Sequence, residues 1–163
     1  MALAPHLASI GHGRRWVAAQ AARQGVGPTG LRIVQLLASE LIANAVLHGP
    51  PGGAVCVRTL RSEDRLRVEV DDADSTTRPR LLTRCHADDG GHGLRLVDRF
   101  ADRWGYDLHG ADGKTVWFEF VLPGSRTDRA RRNDGTPDLP GVAEPPGPEL
   151  PADGSESGPD QAV

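Results

Sequence analysis

The chain has 163 residues, enough for one hydrophobic core of ordinary size plus appendages. Its formal net charge of -3 provides no uniform positive field for a phosphate backbone, which argues against nucleic acid as a partner. Cys56 and Cys85 lack CxxC spacing and have no neighbouring cluster that would complete a zinc site, so we predict a cytoplasmic protein with reduced thiols.

The N-terminus has no signal-like run, and no stretch approaches the roughly 18 apolar residues that span a bilayer, so we expect no membrane partner.

Two helices are predicted in the first third of the chain. Residues 7–24 place apolar side chains on one helical face. Residues 30–48 form a stronger helix, with Gly49 as its expected C-cap and Pro50 preventing continuation.

The rest of the folded region predicts two β-hairpins separated by one helix. Residues 54–60 and 65–71 alternate apolar and polar side chains around a polar turn. After a long irregular stretch, residues 93–102 have a helical pattern, and residues 103–108 and 114–122 form the second hairpin. This order of elements predicts an α+β fold, a two-layer sandwich of helices on a sheet.

The C-terminal segment has a different composition from the rest of the chain. Residues 124–163 contain seven prolines and no aromatic residue. Such a segment cannot bury enough apolar surface to offset its conformational entropy. We therefore predict a folded domain over residues 1–123 and a disordered tail over residues 124–163, either solvated or docking a partner.

Two polar residues interrupt the apolar pattern of the second predicted helix. Glu40 and Asn44 lie one turn apart, close to Ile33 and Leu37 in the middle of an apolar stripe. A buried charge without a partner costs several kcal/mol, so these groups are expected to line a pocket for water, metal or ligand. A polar pair on a solvated face is the alternative.

Two further segments could carry chemistry. Asp72 continues the inward alternation of the aliphatic strand residues before it and needs a hydrogen-bond donor, although it also suits an Asx turn. Residues 90–94, Gly-Gly-His-Gly-Leu, stand directly before a helical pattern. Glycine N–H groups there can close around an anion, and a flexible turn is the alternative.

Together these segments resemble the ATP-binding boxes of the histidine-kinase-like ATPases. Residues 40–49 (Glu-Leu-Ile-Ala-Asn-Ala-Val-Leu-His-Gly) resemble the N box, residues 70–75 (Val-Asp-Asp-Ala-Asp-Ser) the G1 box and residues 91–97 (Gly-His-Gly-Leu-Arg-Leu-Val) the G2 box. Residues 114–120 resemble the last strand, and the match reaches nearly to Pro123. The most similar subfamily is the stand-alone anti-sigma-factor serine kinases, which implies a Bergerat-type fold with a mixed, mainly antiparallel sheet.

The resemblance also implies a role for each matching residue. Asn44 would coordinate a Mg²⁺ ion bridging the phosphates of ATP, and Glu40 would be the general base. Asp72 would accept a hydrogen bond from the adenine amino group. The remaining residues implied to bind the nucleotide belong to the G2 box and the last strand: Gly91, Gly93, Leu94 and Thr115.

Two functions from different classes follow from the resemblance. One is a serine/threonine kinase that phosphorylates an anti-sigma-factor antagonist and so controls a sigma factor, which the presence of Glu40 favours. The other is a non-catalytic module whose partner affinity is switched by ATP. Asp88 and Asp89 favour the second, because some active members have a basic residue there. Ala73, Asp74 and Ser75 occupy the stretch where a G1 glycine is expected, which implies a looser fit around adenine. Expected partners are the sigma factor, the antagonist and a second copy of the chain.

Overall fold

The computed structural model describes residues 1–80, 93–125 and 127–128. The helices and strands of these residues follow one another in the order predicted, after one additional short strand at the start. Their bounds are β1 Ala2–Leu3, α1 Leu7–Arg23, α2 Pro28–His48, β2 Val55–Arg61, β3 Arg65–Asp72, α3 Gly93–Phe100, β4 Arg103–Leu108 and β5 Lys114–Val121. A 3₁₀ turn, Gly110–Asp112, joins β4 to β5.

The strands form a single five-stranded sheet in the order β1-β2-β3-β5-β4. Both predicted hairpins, β2–β3 and β4–β5, are confirmed, and every pairing between described strands is antiparallel. The strand β1 was not predicted, because its two residues are too few to show an alternating pattern. The two-layer α+β architecture is confirmed.

The hydrophobic core lies between the helices and one face of the sheet. The central helix α2 packs against α1, α3 and strands β2, β3 and β5. From the sheet, Val68 and Phe118 are fully buried on the facing side. Each such side chain contributes about 1.5–3 kcal/mol of hydrophobic stabilisation. The other large, fully buried side chains are Val17, Val34, Leu37, Leu41, Ile42, Val55, Val57, Leu66, Val70 and Val97.

Helix α2 is long and apolar enough, by length and composition, to cross a membrane. This finding corrects the expectation that no stretch approaches that length. In the fold, however, α2 has neighbours on several sides, since α1, α3 and the sheet all contact it. Its buried residues, Val34, Leu37, Ala38, Leu41, Ile42 and Ala45, form the face on which these neighbours pack, although only 33% of the apolar window is buried. The helix therefore contributes one face to the domain core.

Prolines determine both ends of α2. Pro28 begins the helix two residues before the predicted start, because its fixed φ suits the first helical turn. Gly49 is the C-cap, as predicted, with φ -68° and ψ 159°, so it is extended and not left-handed. The following Pro50 disfavours helical geometry at the residue before it, which explains this extended conformation.

The second face of the sheet, called here the outer face, carries charged side chains in place of a helix layer. Arg67 Nε donates to Glu69 Oε1 at 2.9 Å, and the guanidinium lies 3.8 Å from the centre of the Trp117 ring. Arg58 Nε donates to Glu69 Oε2 at 3.2 Å. Further ion pairs join Arg67 and Arg65 to Glu119. The chain thus covers this face with its own ion-pair network.

Contacts with the sheet continue past the predicted domain end at Pro123. Leu122 N, just before this end, donates to Asp64 O at 2.8 Å, and beyond it Thr127 Oγ1 donates to Asp64 Oδ2 at 2.5 Å. The hydrogen bond from Thr127 is the main cause that lowers the pKa of Asp64 below its ordinary value. The rest of the predicted tail, Arg126 and residues 129–163, lies outside the described residues.

Candidate functional site

Glu40 and Asn44 lie on the side of α2 that faces the start of α3. A Cβ atom added to Gly93 would lie 2.7 Å from Glu40 Oε2 and 3.4 Å from Asn44 Nδ2. The structure therefore brings these three predicted residues together. The absence of a side chain at Gly93 leaves room for the Glu40 carboxylate at the N-terminus of α3, where the first N–H groups have no intrahelical partner.

The two polar side chains lie together at one edge of the buried stripe of α2. Both are half-buried, whereas the neighbouring Leu37 and Leu41 are almost fully buried. The sequence predicted that Glu40 and Asn44 lie in the middle of the stripe. Their position at its edge lowers the desolvation cost of the Glu40 carboxylate while keeping both groups directed at α3.

The donor set suits a magnesium ion shared with a phosphate chain. Among the described residues there is no group of three or more His, Cys, Asp or Glu side chains that could hold a metal ion alone. Mg²⁺ usually takes only one or two protein oxygen ligands and completes its shell with water and substrate phosphates. Asn44 and Glu40 have no hydrogen bond to another described residue, so the Asn44 amide oxygen fits the role of metal ligand and the Glu40 carboxylate can accept a proton.

Asp72 ends β3 on the helix-facing side of the sheet and is only 6% exposed. Its Oδ1 accepts hydrogen bonds from Lys114 Nζ at 2.9 Å and from the Asp74 backbone N–H at 2.9 Å. Oδ2 has no hydrogen bond to a described residue. Both interpretations of Asp72 thus hold: it points inward and it starts an Asx turn. One carboxylate oxygen is fixed and the other can accept a further hydrogen bond.

Asp74 is a second buried carboxylate on the same ammonium group. Lys114 Nζ donates to Asp74 Oδ2 at 2.8 Å, and Thr76 donates to Oδ1 through its N–H at 2.9 Å and its hydroxyl at 2.7 Å. These bonds, with that from Lys114 the largest, hold the pKa of Asp74 far below its ordinary value, although burial opposes them. Sequence reasoning missed both Lys114 and Asp74. The available signal was that Lys114 is the only lysine in the chain.

The turn between β4 and β5 holds Lys114 beside Asp72. Gly113 has φ +99°, a conformation that favours glycine. A Cβ atom at this position would overlap the Asp72 carbonyl oxygen and lie 2.7 Å from Ala73 Cα. Only a residue without a side chain can therefore bring this turn against the end of β3.

Thr115 lies on the outer face of the sheet, on the opposite side from the Asp72 carboxylate. The register pairs Asp72 with Lys114 and Asp71 with Thr115, and successive strand residues point to opposite faces. Thr115 Oγ1 donates to Asp71 Oδ1 at 2.6 Å, and His109 Nε2 is 2.7 Å from the same hydroxyl. The structure does not bring Thr115 to Asp72, and Lys114 occupies the adjacent position.

The G2 box is only partly within the described residues. Leu94 lies in the first turn of α3 and is partly buried against the core. Gly91 lies outside the described residues, as do Asp88 and Asp89 and the other residues of 81–92. The predicted role of Gly91 at the phosphates stays a prediction.

Comparison with known proteins gives one family and one structural neighbour. The family model described as "Histidine kinase-like ATPase domain" matches residues 3–120. No curated protein matches the chain. Among the solved structures that match is the histidine kinase domain from the Erythrobacter litoralis EL346 blue-light activated histidine kinase, with 21% identity and a TM-score of 0.45. That match covers 76% of this chain, and the chain spans 64% of the length of that structure.

Proposed function

The chain belongs to the histidine kinase-like ATPase family, and we propose that it is a protein serine/threonine kinase of the anti-sigma-factor type. Its ATP-binding domain would phosphorylate an anti-sigma-factor antagonist and so control a sigma factor. The observation that carries the proposal is the convergence of Glu40 and Asn44 on Gly93, with the carboxylate of Asp72 on the face of the sheet that these helices cover.

Two anchors support the placement of ATP in this site. Asp72 can accept the adenine amino hydrogen through Oδ2, while Asn44 and the N-terminus of α3 provide groups for the phosphate end. The C-terminal end of α2 links the two anchors, since a Cβ atom on Gly49 would lie 3.9 Å from Asp72 Cβ. Asn44 and Gly49 are five residues apart, roughly 7.5 Å along a helix axis. One extended nucleotide can reach both anchors.

We assign the role of general base to Glu40, and its half-buried carboxylate beside Gly93, one helical turn from Asn44, supports this assignment. Asn44 would hold Mg²⁺ together with the phosphates of ATP, and the ion when bound neutralises negative charge on those phosphates. The Glu40 carboxylate can accept the proton of a serine hydroxyl while the hydroxyl oxygen forms a bond to the γ-phosphorus. The bond from that phosphorus to the β–γ bridging oxygen breaks, and ADP leaves with the electron pair.

The substitution Glu40→Gln tests the kinase proposal. The variant keeps the size of the side chain but loses the proton acceptor, so it should bind Mg-ATP normally and transfer phosphate at least about 100-fold more slowly. The assay uses labelled ATP and the partner that co-purifies from the native cell. Glu63→Gln, in the exposed turn before β3, is the matched control and should transfer phosphate at the wild-type rate.

A non-catalytic module gated by ATP is the second candidate, favoured by Asp88 and Asp89 ahead of the G2 glycines. Two carboxylates at that place would repel transferred phosphate. A pull-down of the partner with and without ATP separates the candidates. If wild-type protein labels nothing while ATP still changes the amount of partner retained, the kinase proposal is wrong and the module stands.

A further inference from the structure

We infer that Lys114 is a positioning residue for adenine recognition, which holds the Asp72 carboxylate so that one oxygen is fixed and the other is left for the adenine amino group. The inference rests on the proposed function, in which Asp72 binds adenine. It adds a residue that the ATP-binding boxes identified in the sequence did not assign to the nucleotide.

The ammonium group of Lys114 has no donor left for a ligand. An ammonium group carries three N–H donors. The structure gives Lys114 Nζ three acceptors: Asp72 Oδ1 at 2.9 Å, Asp74 Oδ2 at 2.8 Å and Asp74 O at 3.4 Å. The side chain is 8% exposed, so it has little access to solvent. Lys114 can therefore act on a nucleotide only through the groups that it holds.

Asp72 is the group through which Lys114 would act. Its Oδ1 is bonded from two directions, by the ammonium and by the Asp74 N–H. Rotation of the carboxylate would break both hydrogen bonds, so Oδ2 is held in one direction. A preorganised acceptor loses less conformational freedom on binding than a mobile one, and this increases affinity for a donor in the right place.

Side-chain hydrogen bonds also set the shape of the turn after Asp72. No non-glycine residue in the described part of the chain has a positive φ, so Ala73 and Asp74 adopt ordinary backbone conformations. Asp74 accepts from the N–H groups of Thr76 and Thr77 at 2.9 Å and 3.2 Å. Lys114, at the start of strand β5, donates hydrogen bonds to both carboxylates of this turn, those of Asp72 and Asp74.

A comparison of two ligands, each bound to wild-type protein and to Lys114→Met, tests the inference. The ligands are ATP and purine riboside triphosphate, which differs from ATP by lacking the amino group. Wild-type protein should prefer ATP by about 10- to 150-fold in Kd, the size of one hydrogen bond to a charged group. In Lys114→Met this preference should fall by about tenfold or more, while the Kd for purine riboside triphosphate stays nearly constant. Calorimetric titration measures all four constants.

Asp71→Asn is the matched control, because it alters a carboxylate at the same end of β3 but lies on the outer face, where it bonds Thr115 and contacts neither Lys114 nor the Asp72 carboxylate. It should keep the wild-type preference for ATP. If Lys114→Met weakens both ligands equally, or keeps the full preference for ATP, the positioning role is wrong. Failure of wild-type protein to bind either ligand would instead contradict the proposed function.

A measurement on wild-type protein covers the case in which Lys114→Met does not fold. Because the chain has one lysine, selective ¹⁵N-lysine labelling gives a single side-chain ammonium resonance. ATP should shift this resonance through Asp72, and purine riboside triphosphate should shift it much less. Equal shifts with both ligands, or none with ATP at saturation, would overturn the inference.

Discussion

Asp74 is the residue whose ionisation should contribute most clearly to stability. Its folded pKa lies far below the ordinary value because of Lys114 and Thr76. A carboxyl group with a lowered folded pKa stabilises the fold above its unfolded pKa of about 3.9, and this contribution is lost as pH falls towards the folded pKa. Acid should therefore weaken the fold through this group below about pH 4.

We predict that Asp74→Asn removes this acid sensitivity. At neutral pH the variant should lose about 1.5–3 kcal/mol of unfolding free energy, the size of a hydrogen bond to a charged group. The difference from wild type should shrink as pH falls below about 4, because the unfolded wild-type chain then binds a proton at Asp74 while the folded protein does not, and this favours unfolding. Urea unfolding at several pH values measures the difference. A constant difference down to about pH 2 would contradict the prediction.

Neighbouring carboxylates on opposite faces of β3 should differ in their effect on nucleotide binding. Asp72→Asn should weaken ATP binding by about 1.5–3 kcal/mol, because the amide loses charge at the adenine acceptor. Asp71→Asn should leave ATP affinity nearly unchanged, since Asp71 bonds Thr115 on the outer face. Calorimetric titration of both variants provides the comparison. Equal affinity for ATP in wild type and Asp72→Asn would exclude the assigned adenine site.

At the scale of elements, the β4–β5 turn is positioned by Gly113 against the end of β3. Gly113→Ala should greatly reduce stability, since the added Cβ would overlap the Asp72 backbone as well as impose a strained φ. Gly52→Ala is the matched control: Gly52 has φ +77° but nothing within 4 Å of an added Cβ. The control should lose only about 1–2 kcal/mol.

Thermal unfolding of the two alanine variants checks this prediction. Gly113→Ala should unfold at a much lower temperature than Gly52→Ala. Any Gly113→Ala protein that does fold should bind ATP more weakly, because Asp72 is displaced. Equal melting temperatures for the two variants would show that the turn does not need the close approach.

Most of these elements could be predicted from local patterns. The alternation in β3 correctly placed Asp72 inward, and the bounds of β4 were predicted to the residue. The register between strands could not be predicted, because it depends on pairing between residues 42 positions apart, such as Asp72 and Lys114. A shift of one residue in the pairing of β3 with β5 would turn each β5 side chain to the opposite face of the sheet. The register therefore decides that Lys114, and not Thr115, lies beside Asp72.

At the scale of the whole molecule, the described fold continues to Asp128. We predict that a chain ending at Asp128 keeps the melting temperature and ATP affinity of the full chain. A chain ending at Pro123 should melt at a lower temperature, because it loses the bond from Thr127 to Asp64. Calorimetry of the three lengths measures both effects. A large loss of stability in the chain ending at Asp128 would show that later residues also pack on the domain.

The ion-pair network of the outer face constrains how this molecule can change over successive mutations. Arg67 contacts Glu69, Glu119 and the Trp117 ring, so its loss alone would leave carboxylates on neighbouring strands without a shared cation. Such positions are energetically coupled, and their substitutions do not add. Loss of this arginine should therefore be less costly when Glu69 or Glu119 changes as well than when both are kept. Residues of the outer face should therefore change in coupled groups during evolution, whereas isolated surface positions change one at a time.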